Sequence, residues 1–438
     1  MKSVTLVTII GFILFMSTGL TAPVSSLYAE SLGASYVAIG LLGALTSLTM
    51  IFFNNVWGRA SDRLGQRKIF LAVGLAVLSV AHALVAVAPS YEYLFLLNAL
   101  GAVAQAAYVT TSLALMGDLL EGRPDERGRR MGTYRGLGSL GFGLTAFLTG
   151  SVADRFSIRA PFVLSALNLV IALLLALRIK EPAPDGSPDR VTLRDGAALG
   201  RLLLASARDA ARTMFEQFGA LAKRLGNGER PPGSAPSVGK EAASERLPLT
   251  PLLLSAFLWS LAFGAVFAVW PNYMVGELGY SQADVGRLWS LAAISELPLM
   301  ILSGWLSDRV GRLPMLCVGF LAWVIVFVGY VVAPTMPWIV FIQLMRGFAY
   351  SAFTATAMTY TAEARPRSQR GWVSGLYGSA GGIGSIIGAS MGGTLSQLAG
   401  FRAMISTNAV LILGGTVYLA VAAVRWRVGK RSSHQVRL

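Results

Sequence analysis

The chain alternates between long apolar stretches and short polar ones. Each apolar stretch is about 20 residues long, which lets an α-helix rising roughly 1.5 Å per residue cross about 30 Å of bilayer hydrocarbon. The stretches, numbered as spans 1 to 12, fall near residues 4–28, 36–57, 69–88, 93–117, 131–153 and 161–178, and then near 249–275, 283–303, 314–333, 337–361, 373–398 and 402–424. The pattern predicts an all-α integral membrane protein with twelve transmembrane helices.

A charged turn with the spacing G-x-x-x-D-R-x-G follows span 2 and recurs after span 8. Its residues are Gly58, Asp62, Arg63 and Gly65 in the first copy, and Gly304, Asp308, Arg309 and Gly311 in the second. The two copies are 246 residues apart. The first glycine allows a neighbouring helix to approach, and the last allows a tight reversal of the chain. An acidic residue also ends span 4 and span 10, namely Asp118 and Glu363. A unit written twice predicts two pseudo-symmetric six-helix bundles.

The repeated turn resembles the signature loop between helices 2 and 3 of the major facilitator superfamily, which recurs between helices 8 and 9. The resemblance covers nearly the whole chain except a central polar segment. It implies a secondary transporter in which two bundles rock about a central site. It also implies that the charged residues of both turns, with Asp118 and Glu363, form cytoplasmic clusters that gate the inner mouth.

A polar segment with several prolines, residues 180–247, separates the two halves. We therefore predict an N-terminal bundle at 1–179, a cytoplasmic linker at 180–247, and a C-terminal bundle with a basic tail at 248–438. Within the linker, the stretch from Leu199 to Leu225 carries apolar residues on one face and basic residues on the other. This pattern predicts an amphipathic helix, which either lies on the inner membrane surface or forms a soluble connector.

Composition and charge support the membrane interpretation. With 54% hydrophobic and 13% charged residues, the 438-residue chain is too apolar for a soluble globular protein. A net charge of +15 suggests nucleic acid as a partner, but the distribution of the 37 Lys and Arg residues argues against it. Only six lie within spans or on the far side: Arg135, Arg155, Arg159, Arg287, Arg346 and Arg402. The others lie in the ends, the linker and alternate loops, which is the positive-inside pattern and predicts cytoplasmic termini.

The sequence contains few residues suited to catalysis. It has no P-loop, no nucleophile motif and only two histidines, His82 and His434. We therefore expect no enzymatic activity, no cofactor and no metal site.

Three ionisable residues fall inside predicted spans, namely Arg135, Glu296 and Arg346. Such residues are costly in hydrocarbon unless they are paired or functional. Burial disfavours the charged form of Glu296, so its carboxyl would bind and release a proton near neutral pH, as proton coupling requires. The alternative is a structural ion pair between Glu296 and Arg346 that only fixes span 8 to span 10. The two interpretations are compatible if the pair breaks during transport.

The surroundings of Arg135 carry a second resemblance. Arg135-x-x-Gly138-Ser139-x-Gly141-Phe142 is similar to a helix 5 pattern of the lactose-permease-like branch of the superfamily. In that branch the arginine binds substrate hydroxyls and an acidic residue on helix 8 handles sugar and proton. The segment around Glu296 is similar to that of sugar-efflux transporters. Alternatively, Arg135 extends along its helix to reach the cytoplasm.

Glycines in span 11 carry a third resemblance. Gly384-x-x-x-Gly388-Ala389-x-x-Gly392-Gly393 resembles a motif of the drug:proton antiporters, with alanine in place of proline. The glycines of spans 5 and 11 also predict close approach of these helices to spans 2 and 8.

The family fold implies that spans 1, 4, 7 and 10 line the substrate cavity. The candidate residues on these spans are Tyr28, Gln105, Tyr108, Trp259, Trp270, Asn272, Tyr273 and Tyr350. Aromatic rings with a few polar groups suit a mid-sized organic solute, although each of these residues also suits packing or the interfacial belt.

These features together predict a monomeric, proton-coupled secondary transporter in the cytoplasmic membrane that moves a sugar-like or drug-like solute outward. Proton-coupled uptake is one alternative. Another is a membrane receptor that kept the fold and lost flux.

Overall fold

The computed structural model describes residues 2–120, 124–180, 196–227, 247–332, 335–366 and 369–435. In the first half the helices are α1 Lys2–Thr21, α2 Ser25–Ser31, α3 Tyr36–Leu64, α4 Arg67–Ala86, α5 Tyr91–Leu119, α6 Pro124–Arg155 and α7 Ala160–Leu177. The break between α1 and α2 contains Pro23, which has no N–H for the helical ladder. These two helices together form span 1.

The linker helix and the second half follow. The helices are α8 Gly196–Asn227, α9 Leu249–Asn272, α10 Gln282–Val310, α11 Arg312–Val332, α12 Met336–Glu363, α13 Arg370–Ala399 and α14 Phe401–Gln435, and a π-helical turn, Tyr273–Glu277, continues α9. Residues 181–195 and 228–246 of the predicted linker lie outside the described residues, and the predicted domain boundaries stay a prediction.

The all-α membrane fold that the sequence predicts is confirmed. Ten helices in the described part of the chain are long and apolar enough to cross a membrane. The helices α12 and α13 fall at the predicted spans 10 and 11 and are 28 and 30 residues long. The span of α12 contains Gln343 and Arg346, and α13 is rich in Gly and Ser. With these two helices, each predicted span corresponds to a helix.

The described residues form two compact units. Unit 1 comprises residues 1–214 and 268–294, and unit 2 comprises residues 215–267 and 295–438. The end of α9 and the first part of α10 therefore pack with the first half of the chain.

Unit 1 is built on α1, which packs against α6 and α7, and on α4, which packs against α5 and α7. Its core is aliphatic, and Val7, Leu71, Leu75 and Leu169 are fully buried. A Cβ atom at Gly19 would overlap the carbonyl oxygen of Phe142, so the α1–α6 contact depends on this glycine.

In unit 2, α11 packs against α12 and α14. The glycines of the span 11 motif lie against α9. A Cβ atom at Gly388 would overlap the carbonyl oxygen of Leu261, and one at Gly392 would overlap that of Ala265. This contact was not predicted. The predicted approach of span 5 to span 8 occurs within unit 1, where Gly143 lies against Ile294.

Two prolines interrupt the hydrogen-bond ladders of α9 and α10. They are Pro271 and Pro298. Because proline has no N–H, the carbonyl groups four residues earlier, at Phe267 and Ile294, lack their usual helical donor.

Candidate functional site

The first signature loop joins three helices of unit 1 through one arginine. Helix α3 ends at Gly65, whose φ of 61° lies in the left-handed region and whose N–H donates to the Ser61 carbonyl oxygen at 3.0 Å. The reversal brings Arg67, the first residue of α4, back beside α3. Its guanidinium donates to the Asp62 carboxylate at 2.8 Å and also to the carboxylate of Asp118 on α5.

The second signature loop repeats this arrangement in unit 2. Gly311 has a φ of 95°, and Arg312 begins α11. The Arg312 guanidinium donates to Asp308 at 2.6 Å and to the two carboxylate oxygens of Glu363 at 2.8 and 2.9 Å. It also donates to the Ser307 hydroxyl at 2.9 Å. Each loop thus holds two acidic side chains around one arginine.

The arginine at the centre of each cluster is not the one that the sequence analysis named. Arg63 and Arg309, from the Asp-Arg pair, point elsewhere. Arg63 donates to Asp209 of α8 at 2.5 Å, and the Arg309 guanidinium lies 3.8 Å from the centre of the Trp305 ring. The signal that was overlooked is a basic residue within two positions after the last glycine of both copies.

The first glycine of the motif differs between the loops. A Cβ atom at Gly58 would contact the Thr110 side chain at 3.4 Å, whereas one at Gly304 would meet no atom of the described residues within 4 Å. Close helix approach therefore explains Gly58 only in part and does not explain Gly304.

The linker helix α8 docks against the first loop by one face. Leu202 packs with Leu64 and Phe70 in a small apolar cluster. Arg59 donates to the Thr213 hydroxyl at 2.7 Å. The hydrogen bond from Arg63 holds the pKa of Asp209 below its ordinary value. The predicted contact of the opposite face of α8 with the membrane surface stays a prediction.

Aromatic side chains of unit 2 form a continuous cluster on α9. Trp259, Phe263 and Phe267 recur every four residues, with ring centroids 5.0 and 4.4 Å apart. All three side chains are half-buried, so each retains some accessible surface. Phe353 stacks on Trp259 at 4.7 Å, and the predicted residue Tyr350 lies 5.8 Å from it.

The ionisable residues of spans 8 and 10 lie at one end of this cluster. The Arg346 guanidinium is 4.8 Å from the centre of the Phe267 ring, and Arg346 is only 7% exposed. The half-buried carboxyl of Glu296 interacts electrostatically with Arg346. The Ser351 hydroxyl donates to the backbone oxygen of Glu296 at 3.1 Å, which joins α10 to α12. The structure thus brings Glu296, Arg346, Trp259 and Tyr350 into one region of unit 2.

The other candidates lie in unit 1 and are not gathered in one place. Tyr108 is buried and interacts with the half-buried Gln105. Arg135 is exposed on α6. Tyr28 is buried, and its hydroxyl donates to the Val85 carbonyl oxygen at 2.8 Å.

The last three candidates, Trp270, Asn272 and Tyr273, are fully buried in unit 1. The Asn272 amide donates to the carboxylate of Glu30 at 2.6 Å, and the same carboxylate accepts from the Tyr36 hydroxyl at 2.8 Å. Sequence reasoning missed Glu30. The only available signal was a carboxylate near the end of an apolar span.

Two relatives match nearly the whole length of the chain. A maltose permease of Geobacillus stearothermophilus is 24% identical over 422 residues, which cover 95% of this chain and 93% of that protein. A putative sugar efflux transporter of Deinococcus radiodurans is 24% identical over 406 residues, covering 92% and 93%. The crystal structure of the nucleoside transporter NupG matches the fold with a TM-score of 0.68 at 16% identity, covering 98% of this chain and 99% of that one.

The duplicated signature loop, the helical fold and these relatives define a membrane transporter of the major facilitator type. The family model described as "MFS_1 like family" matches residues 5–405, and the chain belongs to that family.

Proposed function

We propose that the protein exports a small organic solute across the cytoplasmic membrane by alternating access, driven by proton entry. The observation that carries this proposal is the position of Glu296, a carboxyl within a membrane span that interacts with the buried Arg346. An ionisable pair at such a depth is costly, so it is usually functional.

The chemistry of the pair suits proton coupling. When Glu296 is charged, it offsets the charge of Arg346 and favours the present packing of α10 against α12. When Glu296 is protonated, this electrostatic attraction is lost, whereas the contact of Arg346 with the Phe267 ring does not depend on the carboxyl charge. Protonation therefore shifts the equilibrium between two arrangements of these helices. A pair that only fixes the two helices predicts no such shift.

The half-buried aromatic side chains of Trp259, Phe263 and Phe267 support a substrate with apolar surfaces. Rings of this kind stack on sugar faces and on apolar drugs alike. The names of the two relatives support a sugar-like solute. Proton-coupled uptake is the second candidate function, because one relative is named a permease and the other an efflux transporter.

The two arginine clusters suit a gating role on the cytoplasmic side. Each joins the ends of three helices, so each has to loosen when those ends separate during the transport cycle. We propose that Arg67 and Arg312 are gating residues together with the acidic residues around them. Glu30 and Asn272 form a third polar contact, at the opposite ends of the spans.

The test of coupling is Glu296→Gln in proteoliposomes, with a panel of labelled sugars and drugs as candidate substrates. Glutamine keeps the size and much of the hydrogen-bonding capacity of a protonated glutamate. We expect the variant to exchange solute between equal pools at a rate close to that of the wild type. We expect it to lose transport driven by a pH gradient.

Asp284→Asn provides the matched control, since it removes a half-buried carboxyl from the first turn of the same helix. It should retain gradient-driven transport. Full gradient-driven transport by Glu296→Gln would exclude this residue as the proton carrier. Binding without counterflow in the wild type would instead indicate a receptor.

A further inference from the structure

Unit 2 contains a cavity of about 710 Å³ that the transport proposal does not use. It lies between the second signature loop and residues 423–428 of the helix α14. Its volume is within the range of small-molecule sites in proteins, roughly 300–1,000 Å³. Most of its wall is apolar and comes from Val310, Leu313, Pro314, Ala423, Val424 and Val428.

Among the described residues, one cation in the polar part of the wall has no acidic partner. Arg312 and Glu363 line the cavity, but they are hydrogen-bonded to each other. Arg427 also lines it, and the only contact recorded for its guanidinium within the described residues is the Val310 backbone oxygen at 3.4 Å. A carbonyl group does not neutralise an arginine, so the cavity attracts an anion at this point.

The surroundings of the cavity indicate where its ligand comes from. The apolar stretch of α14 ends near residue 424 and is followed by Arg425 and Arg427, so the cavity lies at the membrane–water interface. Four valines on one face of α14 are strongly exposed and lead along the helix to the cavity. They are Val417, Val421, Val424 and Val428, with exposures of 58%, 45%, 61% and 58%. An exposed apolar stripe within a membrane span faces lipid chains.

Trp426 completes the site. It lines the cavity at the interface, where tryptophan contacts both the headgroups and the ends of the acyl chains. We propose that this cavity binds an anionic phospholipid, with its phosphate on Arg427 and its acyl chains along the valine stripe of α14. Free phosphate would satisfy Arg427 but would leave the apolar wall without a partner.

Native mass spectrometry of the full-length protein in detergent tests this site. The lipids are phosphatidylglycerol and, for comparison, phosphatidylcholine, with inorganic phosphate as a competitor. We expect phosphatidylglycerol to bind more tightly than phosphatidylcholine. Arg427→Gln should weaken phosphatidylglycerol binding about fivefold, the usual contribution of one basic residue at an anionic surface.

Arg425→Gln is the matched control. It removes the same charge from the same helix, but Arg425 is two residues away and does not line the cavity. Its binding should match that of the wild type. Equal losses in the two variants would overturn the proposal, because they would indicate attraction by net charge alone.

Two further results separate the sources of the anion. Val424→Trp fills the cavity and should weaken binding while the protein remains monodisperse in size-exclusion chromatography. If this variant does not fold, the comparison of Arg427→Gln with Arg425→Gln decides alone. Displacement of the lipid by millimolar inorganic phosphate would overturn the lipid assignment and indicate a simple anion site.

Discussion

The two signature loops share one arrangement of charged side chains and differ in the contacts around it. In both loops, the arginine after the turn pairs with an aspartate and with a second acidic side chain. The clusters of Arg67 and Arg312 therefore have the same kinds of partner. The arginine before the turn differs, since Arg63 binds the linker helix through Asp209 whereas Arg309 covers Trp305. The arginine after the turn, Arg67 or Arg312, therefore makes the same contacts in both loops. The arginine before the turn, Arg63 or Arg309, has a different partner in each.

The largest effect is expected from removing the arginine at the centre of either cluster. Arg67→Gln and Arg312→Gln each leave two carboxylates facing one another without their cation. The arginine side chains are 18% and 14% exposed, but Asp62 and Asp308 are 65% and 67% exposed and stay hydrated. We therefore expect a stability loss of only about 1–2 kcal/mol, together with at least about tenfold slower transport. Thermal unfolding and a proteoliposome flux assay measure the two quantities.

Arg309→Gln is the control within the second loop. It removes a positive charge three residues from Arg312 and leaves both acidic residues paired. It should transport at close to the wild-type rate. If Arg67→Gln and Arg312→Gln also transport normally, the clusters are structural only.

An intermediate effect is expected at the first loop alone. Asp209→Asn weakens the hold of Arg63 on the linker helix, so the buried face of α8 should open more often. In a chain carrying Cys317→Ser and Ala210→Cys, maleimide should react about two- to fivefold faster after this change. Ala210 is fully buried in the docked helix, so its reaction reports undocking.

The pH dependence of this contact follows from its pKa. The pKa of Asp209 is lowered in the docked helix, so the contact is fully formed above the ordinary aspartate value of about 3.9 and is lost as pH falls through the lowered pKa. The ratio of the labelling rates with and without Asp209→Asn should therefore be constant from about pH 5 to pH 8, although both rates rise with the thiolate fraction of the introduced cysteine. Glu216→Gln, on the same helix, should leave the labelling rate unchanged, and a similar acceleration there would contradict the role of Asp209.

The smallest effect is expected at the second loop. Trp305→Leu removes the ring beneath Arg309, and cation–π contacts at exposed sites contribute roughly 0.5–1 kcal/mol. Trp305 is 49% exposed, which places the loss in the lower part of that range. A midpoint of thermal unfolding shifted as far as in Arg312→Gln would show that the two loops do not share one organising residue.

The fold was predictable because membrane spans and repeats are local signals. Apolar length located the twelve helices, and the spacing of the two turns revealed the duplication. The aromatic cluster was predictable in part. Trp259 was named, and Phe263 and Phe267 follow it at the helical spacing of four.

The contacts between helices were harder to predict. Asn272 and Glu30 are 242 residues apart, and no local pattern indicates that their helices are neighbours. Arg67 and Arg312 were read only as markers of the cytoplasmic side, since a basic residue at that position explains topology as well as pairing. The acidic partners of these arginines depend on where the turn places the start of the next helix, and the spacing of residues in the sequence does not specify that position.

The two prolines within helices also determine where α9 and α10 bend most easily. One compact unit gives way to the other between Phe267 and Ala268 in α9, and between Ile294 and Ser295 in α10. Each border falls at the carbonyl that Pro271 or Pro298 leaves without a helical donor. The resistance of a helix to bending resides largely in that ladder, so the mechanical compliance of both helices is concentrated at these two points. A bending load on either helix is therefore taken up at these points, while the segments on both sides keep their own hydrogen-bond ladders.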